Sequence, residues 1–377
     1  MLLTQEILRS IEESRQEAYE LLLELAAIPA PSHHEQLRAE FCKNWLEKQG
    51  AKGVYIDEAL NVVYPVGCTE DNDITVFMAH TDVVFPDMQT LPLEIIDGKI
   101  CCPGVGDDTA NLVALLMAAK YIAQNDLTPA NGGMLLVANS CEEGLGNLKG
   151  CRKIMEQYGN RVTEFVTFDG YAPIVHDKAV GSMRYRIAID TEGGHSYTSF
   201  CNRNAIAYLA SLIDTLYTYK VPCRGKSTYN VGTISGGTSV NTIAQHAQML
   251  YEFRSDDRED MEQMQAHLQA ALELYAAKGI SVSATLVGDR PCGISTDEAV
   301  QNALLKRAVS AIETHFGYTP SLTPGSTDYN IPLSMGIPSV CVSCIEGGGA
   351  HTREEYVCID SIVPGLKVAF EMILHHM

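Results

Sequence analysis

The chain is short of positive charge, of aromatic residues and of long apolar runs. Its 377 residues carry 27 Lys and Arg against 47 Asp and Glu, a formal net charge of -20. No basic field offsets phosphate repulsion, so general nucleic-acid binding is excluded. No apolar stretch approaches the roughly 18 residues of a spanning helix, so no membrane partner is expected. Acidic residues interrupt the N-terminus, MLLTQEILRSIEESRQE, which does not read as a signal peptide. Aromatic residues make up only 7% of the chain, too few to place a pocket by periodicity. The Gly-x-Ser-x-Gly elbow, the Walker-type loop and the Gly-x-Gly-x-x-Gly fingerprint are all missing, which argues against serine, phosphate-cradling and dinucleotide chemistry. Cys341 and Cys344 form a lone Cys-x-x-Cys with no second pair at structural-zinc spacing. The 12 cysteines are scattered along a chain long enough to build a core without staples, and they read as reduced thiols of a cytoplasmic protein.

What the chain does have is alternation of apolar strand-like runs with helical segments. Helices are expected at about 14–28, 35–49, 108–124 and 147–157. Strands are expected at about 53–64, 73–79, 133–139 and 163–168. That order argues for an α/β layer structure. The pattern changes after 180. RYRIAID, a helix at about 203–219, YNVGTI, QMLYEFR, a helix at about 257–277 and ISVSATLV follow in the order β-α-β-β-α-β, the ferredoxin-like unit. A helix at about 296–315, a strand near 338–344 and a helix at about 359–376 return to the first pattern. The expected architecture is therefore an α/β catalytic domain split into 1–179 and 291–377, with an inserted ferredoxin-like α+β lid at 180–290.

Polar islands interrupt the strands. FMAHTDVV delivers His80 and Asp82 at a strand's C-terminal end, where open α/β sheets collect ligands. At spacing i, i+2 both side chains can face one way, so Asp82 could accept the second N–H of a metal-bound His80. A plain turn after a strand is the alternative. In GVGDDTAN, Gly104 and Gly106 allow close backbone approach, and Asp107 and Asp108 stand before a helix. Ordinary N-capping explains Asp108 equally well. ANSCEEGLGN places Glu142 and Glu143 after a strand. One could hold a metal while the other takes a proton from water. Asp169 closes VTFDG, and His351 lies in GGGAHTREEY. Imidazoles and carboxylates without a required thiolate suit zinc, cobalt or manganese.

The ordered set HTD, GxGDD, EEG, FDG and GGAH, spread over nearly the whole chain, resembles the metallopeptidase family of peptidase T, aminoacylase and glutamate carboxypeptidase, with succinyl-diaminopimelate desuccinylase. GSTDYNIPLSMGIPSV followed by GGGAHTREEY is most similar to the peptidase T-like branch. The resemblance implies two divalent ions, zinc first and cobalt or manganese next. His80 and Asp169 would hold one, Glu143 and His351 the other, with Asp107 bridging. Asp82 would support His80, and Glu142 would be the general base. His195, in EGGHSYT, would help stabilise the oxyanion, sometimes in the site of a partner subunit. Asn241 and Arg254 would contact substrate. Three departures stand out: Thr109 where many relatives have Lys, Ala244 where Pro is common, and Glu252 in place of the Asp of an Asp-x-Arg strand. Arg254 could equally pair with Asp256 or Asp257. The implied activity is an aminopeptidase of short peptides, with possible homodimerisation through the lid. The alternatives are an N-acyl-amino-acid amidohydrolase or carboxypeptidase with the same metals, and an inactive metal-binding scaffold.

Overall fold

The computed structural model describes residues 3–377, so the N-terminal signal-peptide argument touches Met1 and Leu2, which lie outside the described residues. The described residues through Ala179 form one compact unit with Ile294–Met377, and Val180–Gly293 form a second.

In the first unit, ITVFMAH and GMLLVAN form the strands Ile74–His80 and Gly133–Asn139, with every residue buried. A strand covered on both faces needs no polar alternation, which is why these runs are continuously apolar. They belong to an eight-stranded mixed sheet, ordered Tyr55–Ile56, Val62–Val66, Gly133–Asn139, Ile74–His80, Val162–Phe168, Ser339–Val342, Ile174–Ala179 and Ser321–Gly325. The four from Gly133–Asn139 to Ser339–Val342 run parallel, so their C-terminal ends share one edge. On one face, Asn111–Gln124 and Ile362–Leu374 pack over Phe77 and Phe168. Those rings stack with centroids 6.1 Å apart, an arrangement worth about 0.5–1.5 kcal/mol beyond burial. On the other face, Lys149–Tyr158 and Asn330–Ser334 pack over Met78 and Phe165.

Two local expectations change. The helix expected from 108 begins at Asn111, after an irregular turn over Val105–Ala110, and no side chain caps it. Asp108 is fully buried and accepts the backbone N–H of His80 at 2.8 Å, so it is not a solvated N-cap. A small sheet of Gly347–Gly348, Tyr356–Cys358, Lys99–Cys101 and Glu94–Ile96 has no counterpart in the sequence pattern, because its strands are too short to show a period.

The second unit is a four-stranded antiparallel sheet ordered Ser227–Gly236, His246–Ser255, Gly181–Asp190 and Ser281–Arg290, the ferredoxin-like order. His246–Ser255 alternates between covered and half-covered residues. The covered set packs against Ala205–Tyr217 and Arg258–Ala277. Asn204 and Asp257 cap these helices by accepting backbone N–H groups of their first turns.

Candidate metal centre

The shared strand edge gathers the polar islands. His80 ends Ile74–His80 and is 1% exposed. Its Nδ1 lies 2.9 Å from the backbone oxygen of Asp82 and 3.5 Å from Asp82 Oδ1. A carbonyl only accepts, so Nδ1 carries a proton, and Nε2 faces Asp107 Oδ1 at 3.1 Å, the nitrogen left to bind a cation once it is deprotonated. The main chain of Asp82, more than its carboxylate, thus orients the ring. The Asp82 carboxylate instead accepts the N–H of Glu142 at 2.9 Å, that of Glu143 at 3.0 Å and the Ser32 hydroxyl at 2.6 Å. Asp82 therefore ties the end of one strand to the loop that follows its neighbour. Burial would raise its pKa, but bonds from His80 and Ser32 hold it below the usual range.

Asp107 stands between two imidazoles. Its Oδ1 faces His80, and its Oδ2 lies 3.2 Å from His351 Nε2. His351 Nε2 is also 3.2 Å from Glu143 Oε1, within ion-pair range though not aligned as a hydrogen bond. Asp169 follows Val162–Phe168, and the Thr327 hydroxyl donates to its Oδ2. Glu142 and Glu143 are both buried, whereas His351 is open to solvent on one side. Among the described residues, His80, Asp107 and Glu143 place one donor atom each within 4.8 Å of one another, as do His80, Asp108 and Asp169.

The electrostatics separate the two adjacent aspartates. Burial opposes ionisation of Asp107, but bonds from His351 and His80 overcome it and keep that carboxyl below its usual range. Burial, with the charges of Asp169 and Asp107, pushes Asp108 well above its usual range despite His80. Asp107 is thus the one held toward its anion, with an oxygen for each side. Burial and the Asp107 charge push Glu143 up to about 8 and Asp169 up to about 7. The adjacent carboxylates of Asp107 and Glu143 push His351 up to about 10. For His80, burial favours the neutral ring, but the charge of Asp108 and bonds to Asp107 and Asp82 raise its pKa well above the ordinary value.

These groups fit divalent cations. Two histidines and several carboxylates converge, and among the described residues Glu143 Oε1 has no hydrogen-bond partner, only the unaligned ion pair with His351. Protons shared between imidazoles and carboxylates occupy the same lone pairs that a cation would take. Nitrogen and oxygen donors without thiolate suit zinc, cobalt or manganese.

The remaining predicted residues lie in the second unit. His195 pairs with Thr242 in a short ladder, which brings it beside Asn241, whose carbonyl accepts the N–H of Ser196 at 2.9 Å. His195 Nδ1 accepts the N–H groups of Tyr197 and Thr198 at 3.2 and 3.4 Å. Arg254 is bonded to Glu252 through Nε and Nη2, both at 3.1 Å, and not to Asp256 or Asp257. Residues i and i+2 of a strand share a face, whereas Asp257 caps a helix and Asp256 takes the N–H of Lys226.

Sequence reasoning missed Ser32, Thr327 and Arg38. Arg38 reads as a surface residue of an amphipathic helix but is fully buried. Its Nη1 donates to the Thr81 carbonyl at 2.9 Å and to Thr109 Oγ1 at 3.1 Å. Only Thr327 carried a signal, within GSTDYN.

Solved structures that share this fold include two peptidases. A tripeptidase from Staphylococcus aureus is 23% identical with a TM-score of 0.76, covering 95% of this chain and 97% of its own. Aminopeptidase PepT from Bacillus cereus is 21% identical with a TM-score of 0.72, covering 95% and 98%. A succinyl-diaminopimelate desuccinylase from Burkholderia ambifaria is 25% identical over 365 residues, 88% of this chain and 86% of that protein. The model of Peptidase family M20/M25/M40 matches residues 76–375, a span that holds the site residues from His80 to His351. A parallel-strand edge that converges imidazoles and buried carboxylates, under a match of that length, leaves one conclusion: the chain belongs to Peptidase family M20/M25/M40 and is a metal-dependent hydrolase.

Proposed function

We propose that this hydrolase is an aminopeptidase removing the first residue of di- and tripeptides. The observation that carries this reading is the placing of Asp107 between His80 and His351, one oxygen toward each, with the buried Glu142 close enough for its charge to raise Glu143 and Asp169. His80, Asp107 and Asp169 would hold one zinc ion, and Asp107, Glu143 and His351 a second. When bound, such ions polarise the scissile carbonyl and lower the pKa of water. Glu142 takes the proton of the attacking water and delivers it to the leaving amine. Asp82, which grips the Glu142 and Glu143 amides, keeps the base loop in place. Because His195 Nδ1 accepts backbone N–H groups, its neutral ring carries the proton on Nε2 and can donate to a developing oxyanion. Asn241, adjacent to His195, is a substrate contact. Arg254 takes the peptide carboxylate by sharing its guanidinium with Glu252.

The fold-sharing tripeptidase and aminopeptidase support the aminopeptidase reading. A second reading, cleavage of N-acyl amino acids, is favoured by the relative that is a desuccinylase. The second unit, as a lid, would also pair two copies of the chain. The edge strand Ser227–Gly236 and the exposed Ile206, Tyr217 and Ile234 support that role. The free thiols support a cytoplasmic location.

The test is a matched pair, an unblocked tripeptide and its N-acetylated form, with products identified by mass. The zinc-loaded protein is expected to release the first residue of the free tripeptide and leave the acetylated one intact. Cleavage of the acetylated form alone would replace the proposal with the acylase reading.

A further inference from the structure

Glu355 follows His351 in the same loop and is fully buried, yet no step above uses it. Its carboxylate sits in a cage of neutral donors. Oε2 accepts the N–H of Gly104 at 2.7 Å. Oε1 accepts the N–H of Gly106 at 2.9 Å, that of Asp107 at 2.8 Å and the Tyr171 hydroxyl at 2.8 Å. The Glu355 main chain is fixed as well. Its carbonyl accepts the N–H of Cys102 at 3.1 Å, and the next residue, Tyr356, pairs with Cys101.

The approach of these amides depends on glycine. A Cβ on Gly104, where φ is 76°, would lie 2.2 Å from Val83 Cγ1. One on Gly106 would lie 2.3 Å from a ring carbon of Tyr171. Three main-chain N–H groups of a single turn, one of them from Asp107 itself, thus converge on a side chain borne by the His351 loop. A carboxylate is suited to this because it accepts at both oxygens, whereas an amide would turn a donor toward one of the N–H groups.

We infer that Glu355 is a positioning residue that locks the Asp107 turn to the His351 loop, so that Asp107 and His351 meet the same cation. The inference rests on the ligand assignment proposed above. The cation held by His351, Glu143 and Asp107 depends on two donors that Glu355 places. The cation held by His80, Asp169 and Asp107 depends on only one. Removing the carboxylate therefore weakens the first cation selectively.

The test is calorimetric titration of the metal-free, full-length protein with zinc, comparing the unaltered chain, Glu355→Gln and His351→Ala. The His351→Ala variant identifies which binding event belongs to the His351 side. Glu355→Gln is expected to weaken that event by about 10- to 100-fold, the range found when partners of metal ligands are removed, and to leave the other within about threefold. Unchanged binding of both cations, or equal weakening of both, would overturn the inference, since general loosening of the fold does not discriminate between them. Retention of two full-affinity cations by His351→Ala would instead sink the ligand assignment. Tyr171→Phe, which strips one donor and leaves the carboxylate, is expected to show the same selective loss on a smaller scale. It decides the matter if the glutamine variant does not fold.

Discussion

Glu142→Gln is expected to lower kcat on free tripeptides by about 10²- to 10⁴-fold, the usual contribution of a positioned general base, with KM and cation content unchanged. The substitution keeps size and shape and removes only the ability to take a proton. The main-chain N–H at this position stays bonded to Asp82, so the loop keeps its place and Glu143 keeps its orientation. Steady-state kinetics with metal analysis of the same preparation provide the check. Activity within tenfold of the unaltered enzyme would remove Glu142 from the base role. Loss of a cation would make Glu142 a ligand instead.

Asp107→Asn is expected to weaken both cations and to cut kcat/KM on the order of 10³-fold. Loss of cation-derived stabilisation worth several kcal/mol corresponds to that factor. Asp108→Asn is the informative contrast. Burial pushes Asp108 well above its usual range, and its Oδ2 accepts the main-chain N–H of His80. Asparagine retains that acceptor, so this variant should keep both cations. Metal analysis after dialysis distinguishes the two. The opposite pattern would exchange the roles of the adjacent aspartates.

Cation uptake is also expected to release protons near neutral pH. Without a cation, Asp107 and Glu143 push His351 up to about 10 and burial pushes Glu143 up to about 8, so the pair retains protons near pH 7. Ligation requires them deprotonated, so affinity should rise with pH through this range. Calorimetry in buffers of different ionisation enthalpy measures the proton count. Affinity independent of pH between 6 and 8 would show that these residues are not the ligands.

The histidines and carboxylates that the fold brings together were legible because they interrupt apolar strands. His80, Glu142, Glu143 and Asp169 each follow a continuous buried run, and the C-terminal edge of a parallel sheet is where such residues meet. The second unit was legible because its strands and helices are long and patterned, as in the alternating burial of His246–Ser255. The short ladder of Gly347–Gly348, Tyr356–Cys358, Lys99–Cys101 and Glu94–Ile96 was not, since strands of two or three residues carry no period. Arg38 and Glu355 were hidden for a related reason. A charged residue in a helix or loop is normally solvated, and nothing local marks one that is buried among backbone groups distant in sequence.

Composition and pattern alone determined that this chain builds an α/β layer structure with a ferredoxin-like insertion, and that histidines and carboxylates stand at the ends of its strands. Those properties follow from residue order, because burial on both faces of a strand and polarity at its end are local constraints. The tertiary structure alone decided which of Asp107 and Asp108 is pushed toward its ionised form, what Asp82 holds, and which buried carboxylate braces the Asp107 turn. Each of these depends on the desolvation and hydrogen bonds of groups brought together from remote parts of the chain, and only folding sets them.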